Sequence, residues 1–207
     1  MEQLNSWWRD TTGSRVTPSM YVDSFGETIY MVGISLFIGA LIGIPLALAL
    51  VITRPGGLKP NAVVYGILNV VVNIIRSLPF IILLVAISPF TRVVAGTAIG
   101  TTAALVPLTL YIAPFIARLI EQSLLEVNPG ITEAADSMGA TMGQTIRHFL
   151  LPEAKSSIIL AVTTATVGLI SATAMAGTIG GGGVGDLAIS YGYQQFDSVA
   201  VSYTHLT

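Results

Sequence analysis

Charged residues are scarce in this sequence and cysteine is absent from it. Only 10% of its 207 residues are Asp, Glu, Lys or Arg, and its mean hydropathy is +0.78. The absence of cysteine excludes disulfide bonds and thiolate chemistry. A soluble domain carries about 25% charged residues, so this sequence has too few to cover a surface that faces water. We therefore predict an all-α integral membrane protein; the alternative is a soluble protein with very apolar helices.

Long stretches contain no acidic or basic residue at all. These charge-free intervals are 28–53, 60–75, 77–91, 93–117 and 156–185. A membrane-spanning helix needs roughly 20 apolar residues. The first, fourth and fifth intervals therefore each predict one span, and the second and third, which flank Arg76, together predict another. A further span is expected from near Asp197, but the roughly ten residues that remain cannot cross a bilayer of about 30 Å. We expect about five helices, the last one truncated or absent.

Several functions are excluded by what is missing. The sequence has no G-x-x-x-x-G-K-[ST] motif, so it does not bind ATP through a P-loop. No Ser-His-Asp or metal-ligand cluster is evident, since His148 and His205 lie far apart. The net charge of −2 indicates neither a nucleic acid nor a polybasic lipid partner. We expect no catalytic residue, metal or cofactor on this chain. No carboxylate lies in the predicted spans before Asp186, which argues against an ion-coupled secondary transporter.

The first 26 residues are polar and lack the basic region and cleavage site of a signal peptide. We expect them to form a non-cleaved leader, with Trp7 and Trp8 at the membrane interface. Arg54 and Lys59 follow the first span without any acidic residue. The positive-inside rule then places the leader outside the cell and the loop after the first span in the cytoplasm.

This orientation predicts the remaining connections. A short outer connection is expected at 88–92, between the second and third spans, and the third span is expected to end near Arg118. The segment 119–155 is then cytoplasmic. The fourth span is expected from Ile158 to Met175, followed by a flexible external loop at 177–185 whose glycines allow close backbone approach.

Small residues and prolines recur within the predicted spans. Gly39 and Gly43 form one G-x-x-x-G pair and Gly96 and Gly100 another, and this spacing favours close helix packing in lipid. Prolines inside a helix remove a backbone hydrogen bond. Kinks are therefore expected at Pro45 and Pro79.

Arg76 is the one basic residue well inside a predicted span. A charge in the membrane is a functional hypothesis by default. The alternative is that Arg76 snorkels toward the interface or binds carbonyls freed by the kink at Pro79. The sequence leaves both interpretations open.

The stretch "EAADSMGATMGQTIRHFLLPEA" at 133–154 interrupts the apolar pattern. Asn128 and Pro129 predict a helix start, and Gly139 predicts its end. Its apolar face is expected to be Ile131, Ala134, Ala135 and Met138. Thr141 and Gln144 predict a capping box for a second helix that ends at Pro152. Its expected apolar face is Met142, Ile146, Phe149 and Leu150. A flat alanine face suits docking in a partner's groove, but packing on the protein's own helix ends is an equal alternative.

The same stretch resembles the EAA motif of bacterial ABC importer permeases, a binding-protein-dependent family. Phe149 replaces the usual isoleucine of the motif. The matching residues, which the resemblance implies are ATPase-coupling residues, are Glu133, Ala134, Ala135, Met138, Gly139, Leu151 and Pro152. The segments "NIIRSLPFIILLVAISPFTRVVAGTAIG", "VPLTLYIAPFIAR" and "GGGGVGDLAISYGYQ" resemble the methionine-uptake (MetI-like) branch. This resemblance covers roughly residues 27–197.

The resemblance implies the fold, partners and location of the chain. Residues 27–207 would form an ABC importer transmembrane domain in the bacterial inner membrane, with a coupling region at 119–155. The implied complex contains a homodimer of this chain within membrane lipid, two ATPase subunits that hold ATP and Mg²⁺, and an external methionine-binding lipoprotein. Residues expected to line or gate the path are Arg76, Ser77, Pro79, Ser171 and Met175. Contact with the binding protein is expected at Gly181, Gly182, Gly183 and Asp186.

Three alternatives stay open at this point. One is a permease of the same class for another amino acid. Another is a secondary transporter that needs no ATPase. The third is a membrane-anchored structural protein.

Overall fold

A computed structural model describes residues 1–204 of the chain, and the side chains up to Val201. The prediction of an all-α protein is confirmed, because the described residues contain helices and turns and no β-strand. The helices are α1 Glu2–Thr12, α2 Pro18–Thr53, α3 Ala62–Ser77, α4 Phe80–Ala86, α5 Ser88–Ala95, α6 Thr101–Leu125, α7 Pro129–Ser137, α8 Met142–Gln144, α9 Leu151–Glu153, α10 Lys155–Ala176, α11 Gly183–Leu187 and α12 Ser198–Thr204.

Three helices are long and apolar enough to cross a membrane on their own. They are α2, α6 and α10, the last counted with the 3₁₀ turn Gly177–Ile179 that follows it. Helices α3 and α4 meet the same test only as a pair, and they are bent by 105° at the break between them. In the described residues the chain therefore has three continuous candidate spans and one broken one.

The first span is longer than the charge-free interval suggested. Helix α2 begins at Pro18 rather than near residue 28, so part of the polar leader belongs to it, and the helix continues through Pro45. The rest of the leader contains α1, which ends at Gly13 in the left-handed conformation. The predicted start of the span was too late because the prediction used charged residues as its boundary. In the structure Asp23 and Glu27 lie within the helix.

The second and third spans also differ from expectation. Pro79 interrupts the helix completely, since α3 ends at Ser77 and α4 begins at Phe80. The expected short connection at 88–92 is longer than predicted and partly helical, because these residues form part of α5. The third span accordingly starts eight residues late, at Thr101, and continues past Arg118 to Leu125.

The two glycine pairs have different structural roles. A Cβ atom built on Gly39 would lie within 2.3 Å of Ile112, and one built on Gly43 within 2.6 Å of the Ala113 carbonyl oxygen. The prediction of close helix packing is confirmed for this pair, which packs against α6. It is wrong for Gly96 and Gly100, which have φ of 76° and 102°, lie between α5 and α6, and have no neighbour within 4 Å of such an atom.

The contacts divide the chain into two compact units. One contains residues 1–36, 79–109 and the chain from 168 onward; the other contains 37–78 and 110–167. The long helices α2, α6 and α10 each contribute to both. Large buried side chains of α6, among them Ile112 and Ile116, form core of the second unit.

The glycine-rich segment is an ordered part of the first unit, so the expectation of a flexible loop is wrong. The segment forms a 3₁₀ turn at Gly177–Ile179, helix α11 and a π-helical turn at Ala188–Tyr193. The expected close backbone approach is confirmed. A Cβ atom on Gly177 would lie 2.4 Å from the Asp186 nitrogen, and one on Gly185 would lie 2.4 Å from the Ala174 Cα.

Candidate functional site

Local sequence signals define the first helix of the expected coupling region. The side chain of Asn128 accepts a hydrogen bond from the Gly130 N–H at 2.8 Å, and Pro129 occupies the first turn, where no N–H is needed. The helix ends at Ser137, and Gly139 follows two residues later with a φ of 71°, which suits a residue without Cβ. The predicted start and end of α7 are therefore confirmed.

Part of the apolar stripe of α7 packs against the protein itself, and the other part is exposed. Ala135 is fully buried against the chain's own structure, whereas Ala134 is exposed and Met138 is 65% exposed. Glu133 is exposed beside them. The two interpretations of the stripe thus apply to different residues: Ala135 packs internally, and Ala134 and Met138 leave a shallow apolar surface facing outward.

The second helix of the region has an irregular centre. The capping box is confirmed, since the Thr141 hydroxyl accepts from the Gln144 N–H and the Gln144 side chain accepts from the Thr141 N–H at 2.8 Å. Residues Thr145–Leu150 form a π-helical turn. Its wider period buries Thr145 and Leu150, five residues apart, and leaves Met142 44% exposed.

The end of this helix was predicted wrongly. Pro152 lies in the first turn of α9, where its missing N–H costs nothing, so the helix continues to Glu153. Pro152 is exposed and Leu151 is partly buried, at the point where the coupling region joins α10.

A polar cluster that the sequence analysis missed lies in the second unit, between α3 and α6. Arg118 donates from one guanidinium nitrogen to Glu121 at 2.7 Å, and from the other to Asn69 at 2.6 Å and to Asn73 at 2.9 Å. Glu121 is only 2% exposed. The guanidinium thereby joins two helices through charge-assisted hydrogen bonds.

Glu121 in α6, like Asp23 and Glu27 in α2, corrects the statement that no carboxylate lies in a predicted span before Asp186, because both helices are candidate spans. The sequence analysis ended the third span at Arg118 because a charge normally marks a membrane boundary. Here the opposite charges of Arg118 and Glu121 are three residues apart on one helix and pair with each other. This three-residue spacing of opposite charges was the feature of the sequence that could have predicted the ion pair.

The expected path residues lie next to the broken span and on α10. Arg76, Ser77 and Pro79 are exposed at the break between α3 and α4. The guanidinium carbon of Arg76 lies 5.7 Å from the centroid of the Phe115 ring, a cation–π contact. Ser171 and Met175 are exposed on α10, one turn apart.

The glycines expected to meet a binding protein are held by α2. The Gly183 N–H donates to the Glu27 carboxylate at 2.6 Å, and the Val184 N–H donates to the Thr28 hydroxyl at 3.0 Å. A Cβ atom on Gly182 would lie within 2.6 Å of the same carboxylate. Asp186 accepts a hydrogen bond from the Ser190 hydroxyl at 2.9 Å. Glu27, which sequence reasoning treated as part of the leader boundary, thus positions this segment.

Asp197 joins the start of α12 to the N-terminal segment. One carboxylate oxygen accepts from the Ser14 hydroxyl at 2.8 Å and the Arg15 N–H at 2.9 Å, and the other accepts from the first N–H groups of α12. Burial acts to raise the pKa of Asp197. The hydrogen bonds from Arg15, Ser14 and the α12 backbone outweigh it, so the pKa lies below its ordinary value.

This shift predicts a pH dependence for the anchoring of α12. Because the folded-state pKa lies below the unfolded value of about 3.9, the stabilisation is fully present above that value and is lost as the pH falls through the folded pKa. The protection factors of the amides at 198–201, which are corrected for the intrinsic exchange rate at each pH, should therefore fall as the pH drops below about 4. In Asp197→Asn the same amides should exchange faster already at pH 5 and change less. Equal pH profiles for the two proteins would contradict this role.

The residues described contain no group of three or more His, Cys, Asp or Glu side chains that could hold a metal ion. His148 is exposed in the π-helical turn, and His205 lies outside the described residues.

Comparison with known proteins gives consistent results. The sequence model of the family described as "Binding-protein-dependent transport system inner membrane component" matches residues 39–204. A Vibrio cholerae protein named "Probable D-methionine transport system permease protein MetI" is 52% identical over 178 residues, which cover 86% of this chain and 79% of that protein. The "D-methionine transport system permease protein MetI" of Escherichia coli K12 is 49% identical over 151 residues, covering 73% of this chain and 70% of the relative.

Solved structures show the same architecture. A chain from the structure titled "Inward facing conformations of the MetNI methionine ABC transporter" has a TM-score of 0.89 and 43% identity, covering 91% of this chain and 88% of that one. A chain from an amino acid ABC transporter has a TM-score of 0.74 over 98% of this chain, and at 18% identity it supports the fold alone.

Proposed function

Because this chain belongs to the family of binding-protein-dependent transport system inner membrane components, we propose that it is the permease subunit of an ATP-driven importer of methionine. The chain is a multi-pass inner-membrane protein with the fold of an ABC importer permease. The observation that carries the coupling function is the outward surface of α7, formed by Ala134 and Met138. The substrate is proposed from the relatives, which are named for D-methionine transport.

The proposed coupling site is the EAA-motif region, with Glu133, Ala134, Ala135, Met138, Gly139, Leu151 and Pro152. In this proposal α7 enters a cleft on a separate ATPase subunit, which holds ATP and Mg²⁺. The flat surface beside Ala134 allows two helices to approach closely, as larger side chains would not. Gly139 follows the helix at the point where the chain must turn, and Ala135 fixes α7 to its own chain so that force on α7 is transmitted.

We propose that two copies of this chain form the translocation path. Helix α3 supports this with an exposed apolar stripe at helical spacing, formed by Val63, Val64, Ile67, Val70, Val71 and Ile74. One chain with so few spans does not enclose a path, and a two-fold dimer is the commonest closed arrangement. Arg76, Ser77, Pro79, Ser171 and Met175 are the proposed path or gate residues.

The proposed orientation follows from the positive-inside rule, with the leader (1–26) outside and the coupling region (119–155) in the cytoplasm. The ordered glycine segment, with Gly181, Gly182, Gly183 and Asp186, would then meet an external methionine-binding lipoprotein. Closure of the ATPase dimer would draw the coupling helices together and open the path outward, and hydrolysis would reset it. Each ligand acts by stabilising one of two states.

Reconstitution tests the proposed function. The chain, its ATPase subunit and its binding lipoprotein are assembled in proteoliposomes, and uptake of radiolabelled D- and L-methionine is measured with ATP inside. We expect uptake that requires all three components. Uptake of another amino acid in preference to methionine would overturn the substrate. Uptake by the chain alone, driven by an ion gradient, would overturn the class.

A further inference from the structure

Arg76 stands at an unusual depth for a charged residue. It lies 14 residues after Ala62, where α3 begins, which at about 1.5 Å per residue is about 21 Å along the helix axis. The hydrocarbon core of a bilayer is about 30 Å thick. The helix ends one residue later, at the break before Pro79. A guanidinium at such a depth is retained where it faces a partner or a water-filled path.

The side chain of Arg76 is oriented but has unused donors. Its guanidinium lies over the Phe115 ring at 5.7 Å, and Phe115 stacks on Tyr111 with ring centroids 6.1 Å apart. In the part of the chain that the structure describes, Arg76 makes no hydrogen bond and no ion pair, and its side chain is exposed. An arginine has five N–H donors and no acceptor, so its donors face the surroundings.

The charges around Arg76 do not balance. The charged side chains that act on it are Arg118 and Glu121. The Glu121 carboxylate is bound by one guanidinium nitrogen of Arg118 at 2.7 Å, and a second guanidinium nitrogen of Arg118 donates to Asn69 and Asn73. Arg54 also acts on Glu121, so three guanidinium groups share one carboxylate and positive charge is in excess. In a low-dielectric environment this excess favours a bound anion.

We propose that the Arg76 guanidinium binds an oxyanion, namely the carboxylate of the amino acid that passes through the permease. This inference rests on the proposed function and deepens it by assigning a cargo-recognition group to the path. A guanidinium matches a carboxylate in a bidentate geometry. The half-buried aromatic rings of Phe115 and Tyr111 lie beside it, and their edges suit contact with a thioether side chain. The phosphate of a lipid headgroup has the same oxyanion chemistry, so the test must separate the two sources.

The test uses the complete complex in nanodiscs, with Arg76→Gln, Arg76→Lys and the control Arg92→Gln, which alters an exposed arginine on α5. Equilibrium binding of methionine and of methioninol, which lacks the carboxylate, is measured without the binding lipoprotein. The ATPase subunits are the same in every sample, so differences report on the permease. Complex yield and thermal midpoint identify variants that fail to assemble.

We expect Arg76→Gln to weaken methionine binding by about 10- to 100-fold, the value of a hydrogen bond to a charged group. The affinity of Arg76→Lys for methionine should lie between those of wild type and Arg76→Gln, because lysine keeps the positive charge but loses the bidentate geometry of the guanidinium group. Methioninol should bind Arg76→Gln as well as it binds wild type. Methionine should bind the Arg92→Gln control as well as it binds wild type. In the proteoliposome assay described above, uptake of methionine by Arg76→Gln should show a raised KM.

Two results would overturn the assignment. If wild type imports methionine while Arg76→Gln binds and imports it equally well, the proposed function stands and the carboxylate site is wrong. If Arg76→Gln changes methionine binding only in nanodiscs that contain phosphatidylglycerol, with discrimination against methioninol intact, the oxyanion is a lipid phosphate. Failure of wild type itself to import methionine would instead overturn the proposed function.

Discussion

Replacing Ala134 by tryptophan is expected to abolish ATP-driven uptake while leaving the permease correctly inserted. Ala134 is exposed on α7 and Ala135 beside it is buried, so the added ring points away from the chain's own core. It would hold the proposed ATPase surface away from the helix. Loss of a central contact of this kind costs 2 kcal/mol or more, which corresponds to about a 30-fold loss of affinity. Uptake and co-purification of the ATPase subunit measure the effect.

Asp136→Trp is the matched control for this variant. Asp136 lies on the same helix, is equally exposed, and is two residues from Ala134, about 200° around the helix. The two substitutions introduce the same side chain, although Ala134→Trp also loses helix propensity, by less than about 0.7 kcal/mol, whereas Asp and Trp have similar propensities. We expect uptake by Asp136→Trp to stay within about twofold of wild type. If both variants lose ATPase binding equally, the docking surface is not the face defined by Ala134 and Met138.

Replacing Glu121 by alanine is expected to give the largest loss of stability. Glu121 is 2% exposed and its carboxylate is 2.7 Å from the Arg118 guanidinium. Removal of one partner of a buried ion pair leaves the other charge uncompensated and costs about 3–5 kcal/mol. The thermal midpoint of the purified complex, or its resistance to unfolding in mixed micelles, measures the loss.

Glu126→Ala is the control for Glu121→Ala. It removes the same side chain five residues further on, where Glu126 is exposed and accepts one long hydrogen bond, 3.3 Å, from Ser157. We expect a change within about 0.5 kcal/mol. The double variant Glu121→Ala/Arg118→Ala should regain part of the stability, because no unpaired charge remains. A Glu121→Ala protein as stable as the Glu126→Ala protein would show that the ion pair contributes nothing.

Features that depend on neighbouring residues along the chain were predicted well. The start of α7 at Pro129, its end before Gly139 and the capping box of Thr141 and Gln144 are confirmed in detail. Each uses hydrogen bonds or backbone angles within three or four residues. The two helices of the proposed coupling region were therefore located from local signals.

Features that depend on distant residues were predicted poorly. Gly39 and Gly96 have the same local G-x-x-x-G pattern, but only Gly39 faces another helix closely. The end of the third span was misplaced because Arg118 and Glu121 look like a membrane boundary until Asn69 and Asn73 are seen to complete their bonds. The π-helical turn at Thr145–Leu150 likewise shifted the buried positions away from the expected 3.6-residue period.

The sequence by itself determined that this is an α-helical membrane protein and where the capped helices of its EAA-like segment begin, because apolar length, scarcity of charge and local capping residues act along the chain. Only the tertiary structure decided which face of α7 is free, which glycines are contact points, and that Glu121 sits paired inside a span while Arg76 keeps unused donors. Most of these depend on residues far away in the chain, such as Asn73 for Arg118 and Glu27 for Gly183. Burial and hydrogen-bond satisfaction depend on contacts between residues that are distant in the chain, and these contacts form only once the helices have packed.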